Sequence, residues 1–198
     1  MGLSFHYNGR IARPELLSEL IEEVKEIAEV YKWNYYIFEQ QFPEKSTESS
    51  EYNQNIYGIN FTPPGCETVS VCFLSNGRMS DAPHLKIFGK TGTQSEEKYL
   101  YILSVKTQYA GVETHKFVIQ LFRYLNKKYF TCFELTDEGD YWETKDEDLL
   151  KSNFKRNTDL IEGFTSAIEN FRQEPSENIE SYLERLLKHL NDKKGLNK

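Results

Sequence analysis

GVETHKFVIQLFRYLNKKYFTCFELTDEGDYWET, residues 111–144, is the stretch from which the fold can be read. From Gly111 to Lys127 the spacing is helical. Val118, Leu121, Phe122 and Leu125 recur with the 3.6-residue period, and His115 extends the stripe one turn backwards. Only one face is apolar, so this helix should lie on a sheet rather than pass through it. YFTCFEL (129–135) follows as an aromatic strand, with Cys132 expected as a small buried hydrophobe.

The same order, helix then aromatic strand, occurs near the start of the chain. From Pro14 to Lys32 apolar residues fall at 17, 20, 21, 24, 28 and 31, with Leu16 and Ile27 widening the stripe. Pro14 suits a first helical turn, where its missing N–H has no partner to lose. NYYIFEQQF (34–42) reads as the strand that follows. Between the two units lie IYGINF (56–61), ETVSVCFL (67–74), LKIF (85–88) and KYLYILSV (98–105), all strand-like. The last is nearly all apolar and reads as a central strand covered on both faces. LSFHYNGRI (3–11) reads as a short strand entering a turn at Asn8-Gly9, and Asn76-Gly77 as a hairpin turn. EKSTESSEYNQN (44–55) carries almost no apolar residue and reads as a mobile loop.

These elements predict an α+β fold: a mostly antiparallel sheet of six or seven strands covered by two long amphipathic helices, with additional C-terminal helices. Thr144 with Glu147 reads as a capping box for a helix at 146–153. Beyond it, Ile161, Phe164, Ile168 and Phe171 stripe one helix, and Ile179, Tyr182, Leu183, Leu186, Leu187 and Leu190 another, with Ser176 as its N-cap. The organisation expected is a sheet domain at 1–155 and a helical pair at 156–198 packed on it. The 177–190 stripe exceeds what a lone surface helix needs, which suggests a homodimer through it.

Composition narrows function. The chain has 198 residues, 14% of them aromatic, and a net charge of −7. Its aromatic content argues for a folded core. Its acidity argues against nucleic-acid partners. Cysteines at 66, 72 and 132 match neither a disulfide framework nor a zinc site, which fits a reduced, cytoplasmic protein. MGLSFHYNGR does not read as a signal peptide, and no apolar run is long enough to span a membrane. HLKIFGKT (84–91) falls short of a phosphate loop, since His84 stands where the first glycine belongs. No cofactor and no metal site is expected.

The candidate site is TDEGDYWETKDED (136–148). Close carboxylates can divide into a proton donor and a base when one is desolvated. Asp137, Asp140 and Glu143, with His115, are therefore candidates for catalysis. Tyr141 and Trp142 are candidates for binding, because aromatic residues anchor interfaces. Arg10 and Arg78, each following Asn-Gly, form a possible anion-binding edge. The leading expectation is an acidic intracellular binding or protein-interaction module, with a protein or small-ligand partner. The alternative is a small hydrolase or transferase using the carboxylates near 137–147.

Overall fold

The computed structural model describes residues 2–89, 98–171, 174 and 177–195. The loop expected at 89–97, apart from Gly89, the Ser176 cap and the last residues of the C-terminal tail lie outside the described residues. The chain divides into two compact units, Leu3–Phe154 and the C-terminal residues from Lys155 onward. Among the described residues no helix is long and apolar enough to cross a membrane.

The first unit is α+β. Strands β1 (Ser4–Ile11), β5 (Leu103–Lys106) and β6 (Phe130–Asp137) form one antiparallel sheet in the order β5-β1-β6. Strands β2 (Asn34–Ile37), β3 (Tyr57–Thr62) and β4 (Val69–Phe73) form a second in that order. The expected sheet is thus present as two sheets of three strands. The Asn76-Gly77 turn joins them: Ile11 N–H donates to Gly77 O at 3.0 Å, and Met79 N–H donates to Gly9 O at 2.9 Å. Tyr7 adds a second tie, donating its hydroxyl to Ser70 O at 2.8 Å and accepting from Ser70 N–H at 3.2 Å.

Helices α1 (Leu17–Val30) and α3 (Gly111–Tyr129) lie side by side on one face, as their single stripes require. The α1 stripe buries Leu17, Leu20, Ile21, Val24 and Ala28, and α3 buries His115, Val118, Phe122 and Leu125 among others. At one end the helices are tied by Lys128, which pairs with Glu19 at 2.8 Å and with Glu23, and by Tyr124 OH on Glu23 at 2.9 Å.

Several expectations are corrected. LKIF is not a strand but the end of helix α2 (Ala82–Phe88). Asp81 caps it by accepting His84 N–H at 2.8 Å, and Pro83 sits in its first turn. The 98–105 run is not a central strand: 98–100 form a helical turn, and β5 lies at an edge. The strand buried on both faces is β4. Its Val69, Val71 and Phe73 join the main core, while Cys72 and neighbouring Leu74 join a second cluster with Leu85, Leu100 and Tyr101. Asn8-Gly9 makes no turn, because β1 runs straight through it. A β-bulge forms opposite, where Cys132 takes φ 50° and is exposed rather than buried. A Cβ at Gly9 would come 3.0 Å from the Phe133 ring, so this close approach needs glycine. The polar 44–55 segment is hydrogen-bonded to the rest of the unit: Arg10 donates to Thr47 O, Asn76 to Ser50 O, and Asn53 N–H to Ser75 Oγ.

In the second unit, the helices expected at 146–153 and around 161–171 are one continuous helix, α5 (Glu147–Asn170), whose start belongs to the first unit. Helix α6 (Ile179–Gly195) follows, capped by Asn178, whose Oδ1 accepts Ser181 N–H at 2.9 Å.

Gly58 holds the β3–β4 register. It has φ 126° opposite Cys72, and a Cβ there would lie 2.3 Å from Val71 O. Gly58→Ala is expected to cost at least about 2 kcal/mol, read as a lower urea midpoint. An unchanged midpoint would contradict this register.

Candidate functional site

Strand β6 ends at Asp137, whose carboxylate is fully buried. After it the chain turns through Asp140, at φ 60°, into the four-residue helix α4 (Tyr141–Thr144). A helix start presents N–H groups with no partner of their own. Asp137 satisfies them: Oδ2 accepts from Tyr141 N–H at 2.9 Å and Trp142 N–H at 3.0 Å, and Oδ1 accepts from Gly139 N–H at 2.7 Å. From α3, His115 Nε2 lies 3.1 Å from Oδ1 and 3.2 Å from Oδ2. The other ring nitrogen, Nδ1, lies 2.7 Å from Thr107 Oγ1.

Donor and acceptor chemistry orders this chain. An ionised carboxylate only accepts, so Nε2–H donates to Asp137, while the Thr107 hydroxyl lies between His115 Nδ1 and Leu3 O, 3.4 Å away. Thr107 N–H donates to Leu3 O at 2.9 Å, which ties the chain to the start of the protein. Phe5 and Phe154 pack edge-on against the imidazole. Burial pushes the Asp137 carboxyl up. The hydrogen bond and field of His115, with the N–H groups of Gly139 and Trp142, outweigh burial and hold it below the ordinary 3.8. A Cβ at Gly139 would lie 2.7 Å from Leu150 Cδ1 and 3.0 Å from His115 Nε2, so any side chain there would push Leu150 and crowd the imidazole. Asn153 of α5 then donates to Gly139 O at 3.2 Å and to Asp140 Oδ2 at 3.1 Å.

The sequence candidates thus separate. Asp137 and His115 come together, with Thr107, which the sequence did not single out. The order hydroxyl–imidazole–carboxylate is that of a nucleophile–base–acid relay. All three residues are buried, however, so the relay is closed to a substrate. Asp140 and Glu143 are exposed and do not converge on Asp137. Tyr141 is buried, its hydroxyl accepting from Gln120 at 3.2 Å. Trp142 is half-buried between Phe133 and the Arg123 guanidinium, which lies 4.8 Å from its ring and donates to the carbonyls of Tyr141 and Trp142. The Thr144–Glu147 capping box is not formed. Asp146 caps α5 instead, accepting from Asp148 and Leu149 N–H at 2.9 Å, while Thr144 Oγ1 accepts from Asp146 N–H. Arg10 and Arg78 face each other across a bridge, with both guanidinium groups engaged internally. Arg10 donates to Thr47 O and Asn76 O, and Arg78 lies 3.4 Å over the Tyr101 ring. Among the described residues no group of three or more His, Cys, Asp or Glu is placed to hold a metal ion. Cys66 is half-buried, and burial pushes its thiol up to about 12, away from nucleophilic use.

A second feature lies on the surface. Where α1 ends, Val30 is 77% exposed and Tyr31 52%. Trp33 N–H donates to Ala28 O and Lys32 N–H to Glu29 O, a Schellman ending with Lys32 at φ 56°. This ending swings Tyr31 off the core stripe and brings Trp33 beside it, ring centroids 5.1 Å apart, with Phe117 of α3 at 4.7 Å from Tyr31 and 5.3 Å from Trp33. Two hollows meet at Tyr31. One, of about 400 Å³, is lined by Glu26, Ile27, Val30 and Tyr124. The other, of about 310 Å³, is lined by Trp33, Glu113, Phe117 and Gln120. The sequence carried one signal for this surface: Val30 is apolar but lies off the stripe of α1.

Asp137→Asn should test the buried chain. The amide turns its NH₂ toward donors, so stability at neutral pH should fall by about 2–4 kcal/mol. The wild-type contribution has a definite pH window. The folded carboxyl lies below its ordinary value, so acid protonates the unfolded chain first. Stability is therefore complete above about pH 4 and lost as pH falls through the folded value. Urea midpoints measured from pH 7 to pH 2 should show a steep acid loss in the wild type and a shallower one in Asp137→Asn.

Compared with known proteins, the chain matches no family model, no curated protein and no solved structure.

Proposed function

We propose that this protein is a binding module of the cytoplasm that docks a protein segment in the groove between α1 and α3. The observation that carries this reading is the cluster of large exposed side chains there: Val30, Tyr31 and Tyr124 on the rim, with Trp33 and Phe117 half-buried beneath. Aromatic side chains lose little conformational entropy on binding and bury much area, which makes such a cluster a suitable anchor. The groove is preformed, held at one end by the Lys128–Glu19–Glu23 ties and at the other by the Tyr31–Phe117 contact. A cytoplasmic location is supported by three cysteines that are all free. The rival, a hydrolase or transferase using the carboxylates near 137–147, has less support, because Asp137 is enclosed and Asp140 and Glu143 stand apart from it.

Selection of peptides from a random library against the folded protein tests the docking reading. Enriched peptides should lose at least about tenfold in affinity for Tyr31→Ala, with thermal stability little changed. Enriched peptides insensitive to both Tyr31→Ala and Tyr124→Ala would place binding elsewhere.

Self-association through 177–190 is a second reading, supported by an independent stripe. Ile179, Leu183 and Leu187 recur at i, i+4 and i+8 and are 68%, 41% and 54% exposed. Glu184 and Lys188 are exposed along one edge of that stripe, where an antiparallel second copy would set each glutamate near the partner's lysine. Light scattering after size exclusion should show a dimer that Leu183→Lys converts to a monomer. A wild-type monomer at high concentration would end this reading.

A further inference from the structure

We infer that the segment taken by the α1–α3 groove is a cationic amphipathic helix, an inference that rests on the docking reading above. Two observations point to this chemistry.

The first is what the groove offers. Its walls are two helices, so apart from the first turn of α3 at Glu113 and Thr114 it presents side chains rather than free backbone donors or acceptors. A partner must therefore satisfy its own N–H and C=O groups, which a helix does and an extended peptide does not. The two hollows share Tyr31, so a partner helix can set an apolar side chain in each from one face.

The second is charge. Between residues 15 and 29 the chain carries Glu15, Glu19, Glu22, Glu23, Glu26 and Glu29 against Lys25 alone. Lys128 pairs with Glu19 and Glu23, Lys25 with Glu22, and Tyr35 OH donates to Glu29. Glu26 is exposed in the groove wall and makes no ion pair among the described residues. On the opposite wall Lys116 is held by Glu113 at 3.0 Å and Glu147 at 3.2 Å, so it adds no net positive field. The rim is thus acidic around an aromatic floor. A helix with leucine or aromatic anchors on one face and Lys or Arg beside them complements it, whereas an acidic helix is repelled.

Two probes decide between these cases: a helical peptide of about 18 leucines and lysines in amphipathic order, and its counterpart with glutamate in place of lysine. Trp33 fluorescence, read in a Trp142→Phe background, reports occupancy of the groove. The lysine peptide should bind, weaken about fivefold or more with Glu26→Lys at low salt, and lose binding with Tyr31→Ala. The glutamate peptide should not bind. If the glutamate peptide binds as well, in a Tyr31-dependent way, the charge inference falls while the docking reading stands. If the lysine peptide binds without dependence on Tyr31, its attraction is non-specific and the inference falls. If neither peptide binds, both the inference and the docking reading fall.

Discussion

The first unit is organised around one buried carboxylate. An ionised Asp137 without partners inside the protein would cost several kcal/mol. It is retained because three backbone N–H groups and the His115 imidazole converge on it within 2.7–3.2 Å. Those partners come from separate parts of the chain: the turn and helix after β6, and the second turn of the amphipathic helix α3. Thr107 joins through His115, and Leu3 through Thr107. The first strand, the turn after β5, α3 and the end of β6 are therefore held to one another by polar geometry at a point where apolar packing alone would allow sliding. The close approach of Gly139 to Leu150 carries this order on to the start of α5.

Once this carboxylate is committed to holding the fold, the acidic turn loses most of its promise as chemistry. Its remaining acids are exposed and apart, and its aromatics pack inward on Gln120, Arg123 and Phe133. Exposed aromatic side chains gather elsewhere, at the end of α1. There Lys32 takes a left-handed backbone that an L side chain adopts at a cost of about 1 kcal/mol. The same ending turns Tyr31 outward and sets Trp33 beside it.

Much of the architecture was legible because periodicity reports burial directly. The stripes of α1 and α3 gave two helices on one face, and His115 extended its stripe into the core as its spacing implied. Asn76-Gly77 turned as its chemistry requires. Short apolar runs were less legible. LKIF satisfies either period over four residues, and the deciding signals, Asp81 as cap and Pro83 in the first turn, lie outside the run. KYLYILSV concealed a helical turn for the same reason. Capping chemistry at 144–147 was ambiguous because Thr144 and Asp146 both make good caps, and it is Asp146 that accepts from the first turn of α5. At the site, Asp137 and His115 were legible as unusual residues. Their partnership was not, because it joins positions 22 residues apart through a turn whose geometry depends on Gly139 and Asp140. Thr107 carried no signal, since a threonine after a strand is ordinary.

The most direct test of this account is the protonation pattern of the His115 ring, read by long-range ¹H–¹⁵N correlation NMR near neutral pH. The geometry predicts a proton on Nε2, held toward Asp137 and slow to exchange. A proton on Nδ1 with Nε2 bare, or an Nε2 proton exchanging freely with water, would contradict the buried chain on which the fold depends.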